Sequence, residues 1–160
     1  MVRAWIAAAL LVAWAPVAIA QGARPAASPP RAASDRSLVI LPMTANEEDI
    51  MAVDAAKAVW PFVAHQVALD STIKVIEPPE MPAEFHAEAS AVDAGEKFGA
   101  RYVFMAKVSG DHIYRFDSAL RDARTGAIVW GHVFFTDDYN IHSLPGEMGV
   151  ALRLVFEKLP

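Results

Sequence analysis

Between Tyr102 and Phe135 apolar and polar side chains alternate through three successive runs, and this period of two limits the fold more than any other feature of the chain. "ARYVFMAKVS" sets Tyr102, Phe104, Ala106 and Val108 against Val103, Met105 and Lys107. "HIYRFDSALR" sets Tyr114, Phe116 and Leu120 against Arg115, Asp117 and Arg121, the contrast of an antiparallel strand with one solvated face. "AIVWGHVFF" is the third run, and Gly110-Asp111 turns the chain between the first two. The second and third are joined by Asp122-Ala123-Arg124-Thr125-Gly126. Aspartate accepts backbone N–H groups at the start of a turn and glycine supplies a positive φ at its end, so the segment reads as a hairpin loop and needs no catalytic role. If Asp122 pairs with Ala127, Asp117 falls opposite His132 on the more polar face.

The residues before this meander alternate strand with helix. "SLVILPM" is a continuous apolar run ended by Pro42, as in a strand buried on both faces. A helix follows, with Asn46 as the expected N-cap and Glu47, Glu48 and Asp49 in its first turn, where the helix dipole favours anions. Ile50, Val53, Ala56, Val59 or Trp60, Val63 and Val67 make its buried face. Pro61 is expected to kink or split it, and His65 to be a hydrogen-bonded packing residue. "STIKVIE" is a second short strand. Ala83 to Phe98 reads as helix, with Phe85, Ala89 and Val92 on one side and Gly99 as a left-handed cap. A last helix carries Leu144, Met148, Leu152, Val155 and Leu159 on one stripe. The order β-α-β-α-β-β-β-α predicts an α/β (α+β) domain over residues 37–160. Its single mixed sheet has about five strands, three parallel through right-handed crossovers and three in an antiparallel meander, with helices packed on it.

The first twenty residues carry one charge, Arg3, then an apolar run closing on Ala18-Ile19-Ala20, the pattern of a secretory signal peptide cleaved between Ala20 and Gln21. Gln21 to Arg36 is rich in Pro, Ala and Ser without apolar periodicity and reads as a disordered tether. Residues 37–160 hold 10 basic and 18 acidic side chains, a net of −8. Such a balance argues against nucleic acid and against charge-driven adhesion to anionic lipid. The chain has no cysteine, hence no disulfide, thiolate chemistry or lipidation at the junction.

On Gly99-Ala100, Asp122, Thr125-Gly126 and Trp130 the stretch from Gly99 to Phe135 resembles a group of bacterial envelope domains related to the amino-terminal domain of TolB and the curli-secretion lipoprotein CsgG. In that group a helix ends in Leu-Gly-Ala, a Tyr/Val-type strand follows, and Asp-x-x-Thr-Gly joins two strands shortly before a Trp. Phe98 stands where leucine is usual, and the lipoprotein cysteine and the TolB propeller are absent from this sequence. The resemblance covers about a quarter of the chain and implies a periplasmic interaction domain whose shared residues are structural rather than catalytic.

Few fragments of the sequence suggest chemistry. Ser71-Thr72-Ile73-Lys74 fits S-x-x-K but lacks its partner motifs, and His86-Ala87-Glu88 fits the H-x-E of zinc deaminases without the cysteines that complete it. His86, Glu88 and His132 or His142 would satisfy a two-His-one-carboxylate metal site. Ser109 near His112, and His142 beside Ser143, are local pairs that a hydrolase would need. Asp137-Asp138 reads as a solvated turn. Nucleotide-binding, zincin and α/β-hydrolase signatures are missing from the sequence. The sequence therefore predicts a non-enzymatic envelope module without cofactor, whose partner is another envelope protein. The alternative is a small periplasmic metal or ligand binder using His86, Glu88 and His132.

Overall fold

A computed structural model of the chain describes residues 36–77 and 90–159. Among these, nine elements follow one another: β1 (Ser37–Ile40), β2 (Thr44–Ala45), α1 (Ile50–Ala68), β3 (Lys74–Ile76), α2 (Ala91–Phe98), β4 (Tyr102–Ser109), β5 (Ile113–Asp122), β6 (Ile128–Asp137) and α3 (Leu144–Phe156). All strands join one sheet in the order β3-β1-β4-β5-β6, with β2 beside β4. β1 lies parallel to β3 and β4, while β4, β5 and β6 are antiparallel. This is the mixed sheet expected from the sequence, with one short strand added. Pro42 has no N–H to offer, so the ladder beside β4 breaks after Leu41, whose own N–H still reaches the Phe104 carbonyl at 3.0 Å. Thr44 and Ala45 then resume it opposite Lys107 and Val108.

Helices cover both faces. On one, Ala52, Ala55, Ala56, Val59, Val63 and Val67 of α1 meet Leu38, Ile40 and Phe104 of the sheet, and α3 adds Leu144, Met148, Leu152 and Phe156. Alanines make the front of the α1 contact, which brings its backbone close to the sheet and leaves Ile50, expected inside, exposed. The cap of α1 is Asp49, not Asn46: the Asp49 carboxylate accepts the Ala52 N–H at 3.0 Å, whereas Asn46 bonds the Glu48 N–H and turns the chain before the helix begins. Pro61 does not split α1, which runs unbroken for 19 residues. The carbonyl it leaves without a helical partner belongs to Lys57, on the exposed side where water can take its place. On α3, Phe156 rather than Leu159 completes the buried stripe, meeting Tyr102 edge-on at 5.3 Å. α1 and α3 approach closely at Gly149, where a side chain would strike Gln66, and the Arg153 guanidinium donates to the Gln66 carbonyl at 2.6 Å.

Among the described residues the other face carries α2 alone, over Val39, Leu41, Val103 and Ala123. Extended Ser90 caps it by accepting the Val92 and Asp93 N–H groups, and the helix runs on from Ala91; the expected stretch from Ala83 to Ala89 lies outside the described residues. Phe85 and Ala89 lie outside the described residues, and Val92 is half-buried. Gly99, at φ 67°, ends the helix in the left-handed form that glycine makes accessible. Gly95 is packed so tightly that a β-carbon there would collide with the methyl of Ala123.

The β5–β6 hairpin is closed by backbone bonds and by its own side chains. Asp122 N–H donates to the Ala127 carbonyl at 2.9 Å, and Gly126, at φ 72°, donates to the Asp122 carbonyl at 2.8 Å. The Asp122 carboxylate accepts the Arg124 N–H at 2.8 Å and pairs with the Arg101 guanidinium, while the Thr125 hydroxyl accepts the Ala127 N–H at 3.3 Å. Burial pushes the Asp122 carboxyl up, but the Arg124 N–H, the Arg101 guanidinium and the Thr125 N–H outweigh it and hold the group below the ordinary carboxylate value.

Register departs from the expectation. Arg121 faces Ile128 but Leu120 faces Trp130, leaving Val129 as an extra residue in a bulge. Ser118, not Asp117, therefore stands opposite His132, and Asp117 faces Val133.

Candidate functional site

Among the described residues β6 has a neighbour on one side only, so the other side of its backbone ends the sheet. Edge strands commonly carry lysine, proline or a very short length, devices that prevent pairing with other chains. β6 is ten residues long, and from Ile128 to Thr136 it contains no Asp, Glu, Lys, Arg or Pro. Its one such device is the Val129 bulge.

The two faces of β6 differ. Toward the helices point Trp130, His132 and Phe134, spaced two apart and so aligned in one row. Trp130 and His132 stack with centroids 5.9 Å apart, and His132 meets Phe134 at 4.6 Å, nearly edge-on. Phe134 is buried, Trp130 half-buried and His132 exposed. Beside this row the end of α3 forms the other wall of a groove of ≈ 450 Å³, with Leu154, Val155, Lys158 and Leu159 facing Trp130 and His132. Trp130, matched in sequence only as part of a turn motif, is thus also a wall of this groove. Opposite His132 the Ser118 hydroxyl is buried without a hydrogen-bond partner among the described residues.

On the α2 face, Val133 and Phe135 stand beside Asp117 and Arg115, which pair with each other at 2.6 Å. Phe135 is 63% exposed and Ile113, on the same face, 68%. An apolar band therefore runs along the edge beyond the reach of α2.

A second cluster joins the β4–β5 turn to the end of β6. His112 Nδ1 lies 2.9 Å from one oxygen of Asp138, and the Tyr114 hydroxyl donates to the other at 2.6 Å. The hydrogen bond to Asp138, aided by burial and by the charges of Asp138, Asp111 and Asp49, pushes the Tyr114 hydroxyl up to about 12. The same bonds draw the Asp138 carboxyl down, and His112 is raised by its bond to Asp138 and by the charges of Asp138 and Asp111. Neither the sequence spacing nor any motif joined these three; Asp138 was expected only to be a solvated turn, a role Asp137 takes by accepting the Tyr139 and Asn140 N–H groups.

The other expected candidates are scattered. His86 and Glu88 lie outside the described residues. His65 is exposed on α1 rather than packed inside. His142 is exposed beside Phe62 and Pro145, and the Ser143 hydroxyl donates to the Asn140 carbonyl at 2.8 Å. Among the described residues no group of three His, Asp or Glu is placed to hold a metal ion.

No family model and no curated protein matches the chain. Solved structures share its fold. TolB from Acinetobacter baumannii matches 84% of this chain at 14% identity with a TM-score of 0.56, and the chain spans 31% of that structure. A PelC variant from Paraburkholderia phytofirmans, solved as a dodecamer, matches 81% of this chain and 94% of its own at 18% identity with a TM-score of 0.53. The lipoprotein GNA1162 from Neisseria meningitidis matches 77% and 95% at 15% identity, also at 0.53. The fold is thus shared with these three structures, TolB among them.

Proposed function

We propose that this chain is a non-enzymatic interaction or assembly module of the bacterial cell envelope, which binds another envelope protein by adding a strand to β6. One observation carries the reading: nine consecutive residues without Asp, Glu, Lys or Arg on a long open edge, exposed Phe135 among them and exposed Ile113 on the same face. Strand addition uses such an edge, main-chain hydrogen bonds supplying affinity and alternate side chains supplying selectivity. Envelope residence is supported by the leader pattern with cleavage at Ala20-Gln21 and by the fold shared with TolB and a neisserial lipoprotein. The PelC dodecamer adds that domains of this shape assemble. No helix among the described residues is long and apolar enough to cross a membrane. The likeness to the curli-secretion component belongs to the same proposal and rests on the sequence match at Gly99-Ala100, Asp122, Thr125-Gly126 and Trp130.

A photoreactive residue placed at Phe135 in living cells tests it. Adducts with one envelope protein, absent when the same residue replaces Lys57 on exposed α1, are expected; no adduct, or the same adducts from both sites, overturns the reading. The alternative as a metal or ligand binder needs His86 and Glu88 together with His132, whose ring is already held between Trp130 and Phe134. Stoichiometric metal in protein purified without a tag would establish it.

A further inference from the structure

The groove between β6 and α3 has an apolar floor of Leu154, Val155 and Leu159 and an aromatic wall of Trp130 stacked on His132. Aromatic-lined grooves are the usual receptors of proline-rich segments, which enter already extended as polyproline II and lose little entropy on docking. This chain contains such a segment, "PAASPP", from Pro25 to Pro30.

The geometry brings the two together. Arg36, the first described residue, is tied to α3: its guanidinium donates to the Phe156 carbonyl at 2.8 Å and to the Thr72 hydroxyl at 3.2 Å. Phe156 is in the last turn of the helix whose following residues, Lys158 and Leu159, line the groove. Arg36 also precedes the start of β1, and Trp130 lies near the start of β6, two strands that begin at the same end of the sheet. β1 and β6 are three places apart in that sheet, about 14 Å at ordinary strand spacing. Pro29 and Pro30 precede Arg36 by seven and six residues, about 20 Å of polyproline II chain. The segment therefore reaches the groove without strain. Its arginines, Arg24 and Arg31, are drawn toward a folded part of net charge −8, while Lys158 in the groove wall favours the uncharged prolines over an arginine at the contact.

We propose that Pro29-Pro30 of the same chain docks on Trp130 and fills the groove beneath the β6 edge. The edge itself stays open to a partner, so this inference stands or falls apart from the strand-addition reading.

The test uses the chain beginning at Gln21. With no native cysteine, Ala27→Cys gives a single site for a nitroxide label, and Trp60 and Trp130 then supply the two indole N–H resonances. Trp60, whose Nε1 donates to the Ile40 carbonyl, is the internal reference. Expected are selective loss of the Trp130 indole signal, persistence of that loss when labelled chains are diluted with unlabelled ones carrying no isotope, and recovery in Pro29→Gly/Pro30→Gly. Equal broadening of both indoles overturns the docking. Loss that weakens on dilution assigns the occupant to a second copy and overturns the same-chain arrangement. Broadening that survives the double glycine substitution overturns the recognition of proline.

Discussion

The sheet ends in two different ways. At one side β3 is three residues long and opens on exposed Lys74; at the other β6 runs ten residues and presents no charge for nine. Short length and lysine are what protect an open edge from pairing with foreign strands. Among the described residues, the β3 edge is therefore the better protected of the two. The difference also shows in the core: β6 is fastened by Phe134, buried against the sheet's main apolar cluster, whereas Val75 and Ile76 of β3 are only half-buried.

The sharpest way to break this contrast is to cut both anchors. Phe134→Ala should cost about 3–4 kcal/mol and Val75→Ala about 1 kcal/mol, because the cost of a truncation follows the burial and the cavity left behind. Urea titration reads both, and equal losses would show that β6 is not held as described. Next in size is the hairpin that delivers β6. Gly126→Ala forces a β-carbon into a left-handed residue at φ 72° and should lower stability by about 1 kcal/mol, more than Thr125→Ala in the same loop, again by urea titration. Smaller still in stability is Phe135→Lys, which gives β6 the protection β3 already has. It should change unfolding by no more than about 0.5 kcal/mol yet abolish the adducts formed from a photoreactive residue at Val129. Retained adducts would remove the edge from the proposed interface.

The smallest effect lies at the end of β6. His112 is raised by its bond to Asp138, so the stability it adds is complete below its ordinary value of 6.5 and is lost as pH rises through the raised value. Asp138, lowered by Tyr114 and His112, adds stability above the ordinary carboxylate range and loses it on acidification, a separate window. Between mildly acidic and mildly alkaline pH the urea midpoint of the native protein should drift slightly downward, and His112→Asn should flatten that drift. An unchanged slope would detach His112 from Asp138.

Features set by neighbouring residues were legible in the sequence. The Asp122–Gly126 loop follows from turn chemistry within five positions, and the inward row of Tyr114, Phe116 and Leu120 from simple alternation. Features set by distant contacts were not. The Val129 bulge shifts the pairing by one, and one residue of slip is enough to replace Asp117 by Ser118 opposite His132. Asn46 and Asp49 are both good caps, and only the path of the chain after β2 decides between them. The two residues of β2 carry no period at all. The groove could not be anticipated because its walls, β6 and α3, meet through tertiary packing, and the His112–Tyr114–Asp138 cluster joins residues 26 and 24 positions apart for the same reason.

The contact of Gly95 with Ala123 ties the underside of α2 to the loop that launches β6. A methyl at position 95 has room only if the one at 123 is given up or the helix tilts away from the turn. The smallness of either residue thus matters only together with that of the other.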